Sequence, residues 1–302
     1  MESDSTEIYV KAPWGNIAVV SWYEGSSEPV LMVHGRQDSA ATFVPLVSHL
    51  PRTRQYVAVD LPGNGRSDSF PKGIMIQRYH FIAVIDYVIK HFGWKSCVYL
   101  AHSMGCEIGL FYNAVWPGVI SRFVHLDAGP SFQRLQQSYN DYERHFHNYY
   151  SNYRRYNSDD SKVYTRRKAL DAVMRARKMN EEQAAVILSR VLVKIGEDRY
   201  RMSWDPRMKT IVPQNLTNEG NIKLFTRDKI PSLLITMSEG HGGNLRGKDG
   251  ADQLIRAMME ADNFREVVLS GQHDYHVTHA EEVAKYVVDF LDNKSCDIKC
   301  KI

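Results

Sequence analysis

Residues 97–110 read Cys-Val-Tyr-Leu-Ala-His-Ser-Met-Gly-Cys-Glu-Ile-Gly-Leu. A short apolar run, Val98 to Leu100, meets a helix-forming run through a turn of small residues with Ser103 at its tip. Strand, sharp turn and helix in that order lift the central side chain above the end of a sheet. The turn strains the central backbone, so the positions two before and two after it must be small. Ala101 and Gly105 occupy them. The usual pattern has Gly at both, and the methyl group of Ala101 predicts slight crowding with the turn retained.

Outward from this stretch the chain alternates strands and helices. Ile8–Val10 and Ile17–Tyr23 flank a turn at Pro13-Trp14-Gly15-Asn16, an antiparallel hairpin. Pro29–Val33 and Tyr56–Val59 are apolar throughout, as strands covered on both faces are. Ala40–Leu50 and Met75–Phe92 read as helices, the second with apolar residues at Phe81, Ile82, Ile85, Val88 and Ile89. Phe123–Asp127 is a further strand; Ile230–Thr236 and Arg265–Leu269 follow much later, with helices at Gly250–Ala261 and Ala280–Leu291. Strands alternating with helices imply an α/β fold with a mostly parallel central sheet, flanking helices and right-handed crossovers.

Between about Gly129 and Asp228 the strand rhythm stops. This segment reads as helical, with Gln183–Ile195 its clearest stripe, and carries Tyr139, Tyr142, Tyr149, Tyr150, Tyr153 and Tyr156. It is basic: residues 131–228 hold 19 Lys and Arg against 12 Asp and Glu, a net +7 where the whole chain is +3. An inserted helical cap over the carboxyl edge of the sheet accounts for this, because in open α/β sheets that edge holds the site. The domain organisation is then a core of residues 1–128 and 229–294, a cap at 129–228 and a tail at 295–302. The tyrosines either line an acyl pocket or pack the lid. The basic residues either form a solvated face or meet an acidic ligand or membrane surface.

Length and composition agree with a globular protein able to bury a large core: 302 residues, 43% hydrophobic and 24% charged. A charge of +3 gives no argument for nucleic acid. Cys97, Cys106, Cys296 and Cys300 do not make a disulfide framework, and the two beside Ser103 read as buried thiols. The N-terminus has no apolar segment behind its polar start, and no stretch approaches a membrane span, so stable membrane insertion is not expected. A cytoplasmic location follows. Cys300-Lys301-Ile302 differs by one conservative change from the small-basic-Leu tripeptide read at the peroxisome, which makes that compartment the alternative address. The Asn215-Leu216-Thr217 sequon carries no meaning in such a setting. Cys296 and Cys300 have no neighbours to complete a metal site, and neither metal nor cofactor is expected.

Taken together, the His34-Gly35 turn, the Asp60-x-Pro-Gly-x-Gly-x-Ser67 loop, the Ser103 turn, and Gly271-Gln272-His273 before a last helix resemble the α/β-hydrolase superfamily, in that order. More narrowly, His34-Gly35-Arg36-Gln37-Asp38-Ser39-Ala40-Ala41-Thr42-Phe43, with Leu50-Pro51 after it, and Asp205-Pro206-Arg207 resemble its serine hydrolase-like, kraken-type branch. The resemblance implies an α/β-hydrolase fold and a small-molecule acyl substrate, a carboxylic ester or thioester, and the branch hardly narrows which one.

In that frame Ser103 is the candidate nucleophile and His273 the candidate base, since a serine hydroxyl is unreactive until a base of near-neutral pKa removes its proton. His276 and His279 compete, and the family spacing favours His273. The oxyanion donors are the backbone N–H groups of Met104 and Arg36. His34 shapes the loop. Two carboxylates compete for the acid: Asp127, at the end of the strand after the Ser103 helix, and Glu239, just beyond the strand ending at Thr236. Epoxide hydrolases and haloalkane dehalogenases use a carboxylate where this chain has Ser103. Gly63-Asn64-Gly65 lacks the third glycine of a nucleotide loop, because position 68 is Asp. The alternative function is a ligand-binding protein that kept the scaffold and lost turnover, because the acid position is irregular. The oligomeric state has no signature here.

Overall fold

A computed structural model describes residues 4–25, 27–133, 139–158, 162–210, 216–239 and 249–292. The strands are β1 (Ser5–Ala12), β2 (Gly15–Trp22), β3 (Ser27–Val33), β4 (Arg54–Val59), β5 (Cys97–His102), β6 (Ile120–Leu126), β7 (Val163–Tyr164), β8 (Leu192–Gly196), β9 (Arg199–Met202), β10 (Ser232–Met237) and β11 (Phe264–Leu269). The helices are α1 (Val44–Val47), α2 (His80–Phe92), α3 (Met104–Val115), α4 (Gly129–Gln133), α5 (Tyr139–Ser151), α6 (Tyr153–Tyr156), α7 (Arg166–Arg177), α8 (Glu181–Val191), α9 (Asn218–Phe225), α10 (Asp249–Met259), α11 (Tyr275–Thr278) and α12 (Ala280–Asp292).

The runs that are apolar on both faces become the middle of the sheet. Val30–Val33, Tyr56–Val59 and Cys97–Ala101 are wholly buried. Eight strands lie in the order β1-β2-β4-β3-β5-β6-β10-β11. β1–β2 and β2–β4 are antiparallel, with Ile8 opposite Val19, and the remaining pairs are parallel. The carboxyl ends of β3, β5, β6, β10 and β11 therefore open on one edge, where the site lies. Helices cover both faces: α2 buries Phe81, Val84, Ile85, Val88 and Ile89, spaced as one helical stripe, and α12 buries Val283, Ala284, Val287 and Leu291 on the other side.

Two elements differ from the sequence expectation. Helix α2 begins at His80, not Met75. The residues before it are drawn into a loop whose carbonyls at Phe70, Pro71 and Ile74 accept from the Arg207 guanidinium at 2.7, 2.6 and 3.0 Å. Likewise Ala40–Leu50 is a 3₁₀ turn at Ala40–Phe43 followed by the short α1.

The segment between β6 and β10 carries α4–α9, but it is not all helical. A second, antiparallel sheet in the order β7-β9-β8 lies within it. The stripe read as one helix through Ile195 stops at Val191: Asn180 and Gln183 form a capping box at its start, and Leu192 at its end has β backbone angles. The β-branched Val191, Val193 and Ile195 then favour a strand, and β8 pairs with β9 through Asp198 at φ 43°. Ala169, Val173, Met179, Ala184, Ile187, Leu188 and Val191 form the insert's own apolar cluster, which closes on Val277 of α11.

The tyrosines divide. Tyr149 and Tyr156 are buried and stack at 5.8 Å, while Tyr139, Tyr142, Tyr150 and Tyr153 face outward. Cys97 and Cys106 are buried free thiols. Cys296, Cys300 and the Cys300-Lys301-Ile302 terminus lie outside the described residues, as does Asn215. Among the described residues no helix is long and apolar enough to cross a membrane.

Candidate active site

Ser103 sits between β5 and α3 at φ 50°, ψ −118°, a conformation costly for any residue with a side chain. The surroundings hold it there. Ser103 N–H donates to the Leu126 carbonyl at 3.0 Å, and the Ser103 carbonyl accepts from Cys106 N–H at 3.0 Å. A Cβ on Gly105 would lie 2.2 Å from the Val33 carbonyl oxygen, so only glycine lets α3 start this close to β3. Ala101 is fully buried and keeps its place in the ladder between Val33 and His125.

The turn after β3 comes up against Ser103. A Cβ on Gly35 would lie 3.1 Å from Ser103 Cβ, and Gln37 turns the chain at φ 55°. Arg36 lies between them. Met104 is the first residue of α3, where backbone N–H groups have no acceptor within the helix. His34 is buried beneath: its Nδ1 donates to the Gly35 carbonyl at 2.6 Å, and its Nε2 accepts from Leu61 N–H at 3.0 Å. Both ring nitrogens are committed to shaping the loop, and burial keeps the ring neutral by pushing its pKa down.

His273 follows β11. Its Nδ1 is 2.5 Å from Asp127 Oδ2. Asp127, at the end of β6, is 2% exposed and takes a positive φ of 46°. Its N–H donates to the Ile235 carbonyl at 2.8 Å and its Oδ1 accepts from Met237 N–H at 3.1 Å, so the side chain is clamped by β10. Glu239 turns elsewhere, accepting from Ser270 Oγ at 2.9 Å and from Gln272 Nε2 at 3.3 Å. Of the two carboxylates that compete in the sequence, Asp127 is the one bonded to the imidazole.

The competing histidines have other partners. His276 is buried with Nε2 at 2.8 Å from Thr42 Oγ1, and His279 stacks on Tyr275 at 4.1 Å. His102, the residue before Ser103, has no assigned role in the sequence reading, yet its ring centroid lies 4.4 Å from that of His273 and 4.2 Å from that of His276. Its Nε2 is 3.1 Å from the His273 carbonyl. A carbonyl only accepts, so Nε2 carries the proton and the buried Nδ1, which has no hydrogen-bond partner, carries the lone pair. Burial, with His273 beside it, pushes the His102 pKa down to about 3.

Arg177, the last residue of α7, reaches this cluster from the insert. It bonds Asp38 Oδ2 at 2.9 Å and Asp274 Oδ1 at 3.3 Å. Burial alone would raise the Asp38 pKa, but the guanidinium overcomes it and holds the carboxyl below its ordinary range. Asp38, His102 and Asp274 offer cation-binding atoms within 4.8 Å of one another, but Arg177 already occupies the two carboxylates. Nothing local in the sequence marks His102 or Arg177; each acquires its neighbours only through folding.

A second buried charge lies one turn into α3. Glu107 accepts from Arg78 Nε and from Ser131 Oγ, tying α3 to the residues before α2 and to α4. Asp60, also buried, accepts from Ala40 N–H at 2.7 Å, Arg66 N–H at 2.9 Å and Arg190 Nη2 at 2.6 Å. Gly65 is obligatory beside it, since a Cβ there would lie 2.1 Å from the carboxyl carbon.

Residues 28–180 match the alpha/beta hydrolase fold family, about half of the chain, and the chain belongs to it. A serine hydrolase-like protein of Danio rerio is 26% identical over 98% of this chain and 91% of its own length. Serine hydrolase-like protein 2 of Homo sapiens is 24% identical over 95% of this chain and 94% of its own length. Among solved structures, a hypothetical protein of Pseudomonas aeruginosa PAO1 superposes with a TM-score of 0.81 at 21% identity, covering 95% of this chain and 99% of that one.

Proposed function

We propose that the protein is a serine hydrolase that cleaves a carboxylic ester or thioester, a small-molecule acyl substrate, through an acyl-enzyme on Ser103. The observation that carries this reading is the His273–Asp127 hydrogen bond, 2.5 Å long, with His273 packed on His102, whose chain neighbour Ser103 is held at positive φ. With Nδ1–H directed at Asp127, the lone pair of His273 is on Nε2, the nitrogen that takes the proton from Ser103 in this reading. Ser103 Oγ then attacks the acyl carbon, and the tetrahedral oxyanion accepts hydrogen bonds from the N–H groups of Met104 and Arg36. The leaving alcohol or thiol departs with the proton from His273. Water, deprotonated by the same imidazole, attacks the acyl-enzyme and releases the carboxylic acid. His102 and His276 stay neutral because burial lowers both pKa values, so neither opposes the positive charge that forms on His273.

Residues 129–228 act as the cap in this reading. They meet the core at groups that end the parallel strands: Arg177 at Asp38 and Asp274, and Arg190 at Asp60. Glu239 supports the His273 loop through Ser270 and Gln272 instead of serving as the acid.

Labelling with a fluorophosphonate probe tests the proposal, because the probe reacts only where a serine, its base and its oxyanion donors are assembled. Stoichiometric labelling that disappears in a folded Ser103→Ala variant is the expected result. A folded wild-type protein that does not label would point instead to ligand binding without turnover.

A further inference from the structure

The guanidinium of Arg177 donates in two directions. Nη1 reaches Asp38 Oδ2 at 2.9 Å and Asp274 Oδ1 at 3.3 Å, while Nη2 reaches the Gln37 carbonyl at 3.3 Å. These acceptors lie on the two loops that the chemistry proposed above depends on. Gln37 follows Arg36, one of the two oxyanion donors, and Asp274 follows His273. The contact is sheltered: the side chains of Arg177, Asp38 and Asp274 are 15%, 2% and 11% exposed. Removing the cation would leave two carboxylates and the His102 lone pair facing one another across less than 5 Å, and the loops would move apart to relieve it. Lysine could not replace it in full, because an ammonium is a single point of donation and has no second, rigidly held nitrogen to reach the Gln37 carbonyl while the first bridges Asp38 and Asp274.

We propose that Arg177 is a positioning residue through which residues 129–228 set the reactivity of Ser103. It holds the 35–38 loop and the 272–275 loop at the separation that brings oxyanion donor and base to bear on one acyl carbon. It acts through these loops and not on the substrate. The inference rests on the serine hydrolase reading of Ser103 and His273.

The experiment uses the full-length protein with Arg177→Ala and Arg177→Lys. Two quantities are measured: the rate of fluorophosphonate labelling over a range of probe concentrations, and deuterium exchange at amides 36–39 and 273–275. In Arg177→Ala the maximal labelling rate should fall about 100-fold, the size of effect seen when one oxyanion donor is lost, while the probe concentration for half-maximal rate stays within about threefold. Millimolar guanidinium should restore part of that rate in Arg177→Ala and none in Arg177→Lys, whose own rate lies between those of the other two. Exchange should rise in both loops together and stay unchanged in β5 and β6.

A labelling rate within threefold of wild type in folded Arg177→Ala would overturn the proposal. So would exchange rising throughout the core without rescue, which is the behaviour of a residue needed only for folding. If wild-type protein does not label at all, the nucleophile assignment fails and exchange alone decides: paired loosening of the two loops upholds the positioning role, and unchanged exchange removes it.

Discussion

Residues 97–110 are held chiefly by backbone: a carbonyl one strand away, a glycine pressed on Val33, and a helix that starts where the strand stops. Residues 129–228 hold the same edge of the sheet through charged side chains. Arg177 and Arg190 reach across to carboxylates of the core, and Arg207 reaches across to its loop carbonyls. The first kind of contact is made by main chain and tolerates almost no change of shape. The second joins residues about a hundred or more apart in the chain and depends on charge. The turn that carries Ser103 is fixed by main-chain fit, and the loops around it are tied by side-chain charge.

This contrast can be broken most sharply at the acid. Asp127→Asn should lower kcat by about 10³- to 10⁴-fold, because the imidazole then loses its tautomer and its counter-charge. Glu239→Gln should change kcat by less than about threefold, since its partners are Ser270 and Gln272. Equal losses in ester turnover would remove Asp127 from its role.

Next in size is the charge that links insert to core. Arg190→Met strands the Asp60 carboxylate, which is 0% exposed, and should cost about 3–5 kcal/mol in urea unfolding. A cost below about 1 kcal/mol would mean that the amides of Ala40 and Arg66 suffice to hold Asp60.

At the elbow, Gly105→Ala should destabilise by about 3 kcal/mol and abolish labelling together, because its methyl group would meet the Val33 carbonyl at 2.2 Å. Retained labelling would show that the turn can shift without harm, and the backbone side of the contrast would weaken.

The smallest effect concerns His125, whose two ring nitrogens are buried without partners while the ring stacks on Phe123 at 3.8 Å. Burial lowers its pKa to about 3 from an ordinary 6.5. The unfolded chain therefore binds a proton that the folded one refuses, and stability falls as pH drops from about 6.5 toward 3. His125→Phe should be more stable by about 1 kcal/mol near neutrality and should lose less stability between pH 7 and pH 5. Thermal melts at the two pH values measure both, and an unchanged acid slope would exclude His125 as a source of acid sensitivity.

Much of the core was readable because its signals are local. Val30–Val33 and Val57–Val59 are apolar on both faces and become interior parallel strands; Phe81, Ile85, Val88 and Ile89 repeat with helical spacing and cover the sheet. The insert was harder. Its second sheet was hidden because Val191–Ile195 carries both a helical stripe and β-branched residues, and the partner strand β9 decides between them. The start of α2 was misplaced for a similar reason, since an arginine from the insert takes the carbonyls of the preceding loop.

Sequence alone determined the strand, turn and helix around Ser103 and the order of motifs along the chain, because each is written in residues close together in the chain; it also marked Gly105, though the Val33 carbonyl that makes glycine necessary there comes from another strand. The tertiary structure decided which carboxylate meets His273. Asp127 and Glu239 both stay open in the sequence, with only a slight preference for Asp127, but parallel pairing of β6 with β10 clamps Asp127 with the Met237 amide, while Glu239 is drawn to Ser270 and Gln272. It also brought Arg177 to Asp38 and Asp274, and His102 to His273. Those contacts join residues far apart in the chain, and a hydrogen bond or ion pair depends on separation in space, which only the packing of the sheet and its insert sets.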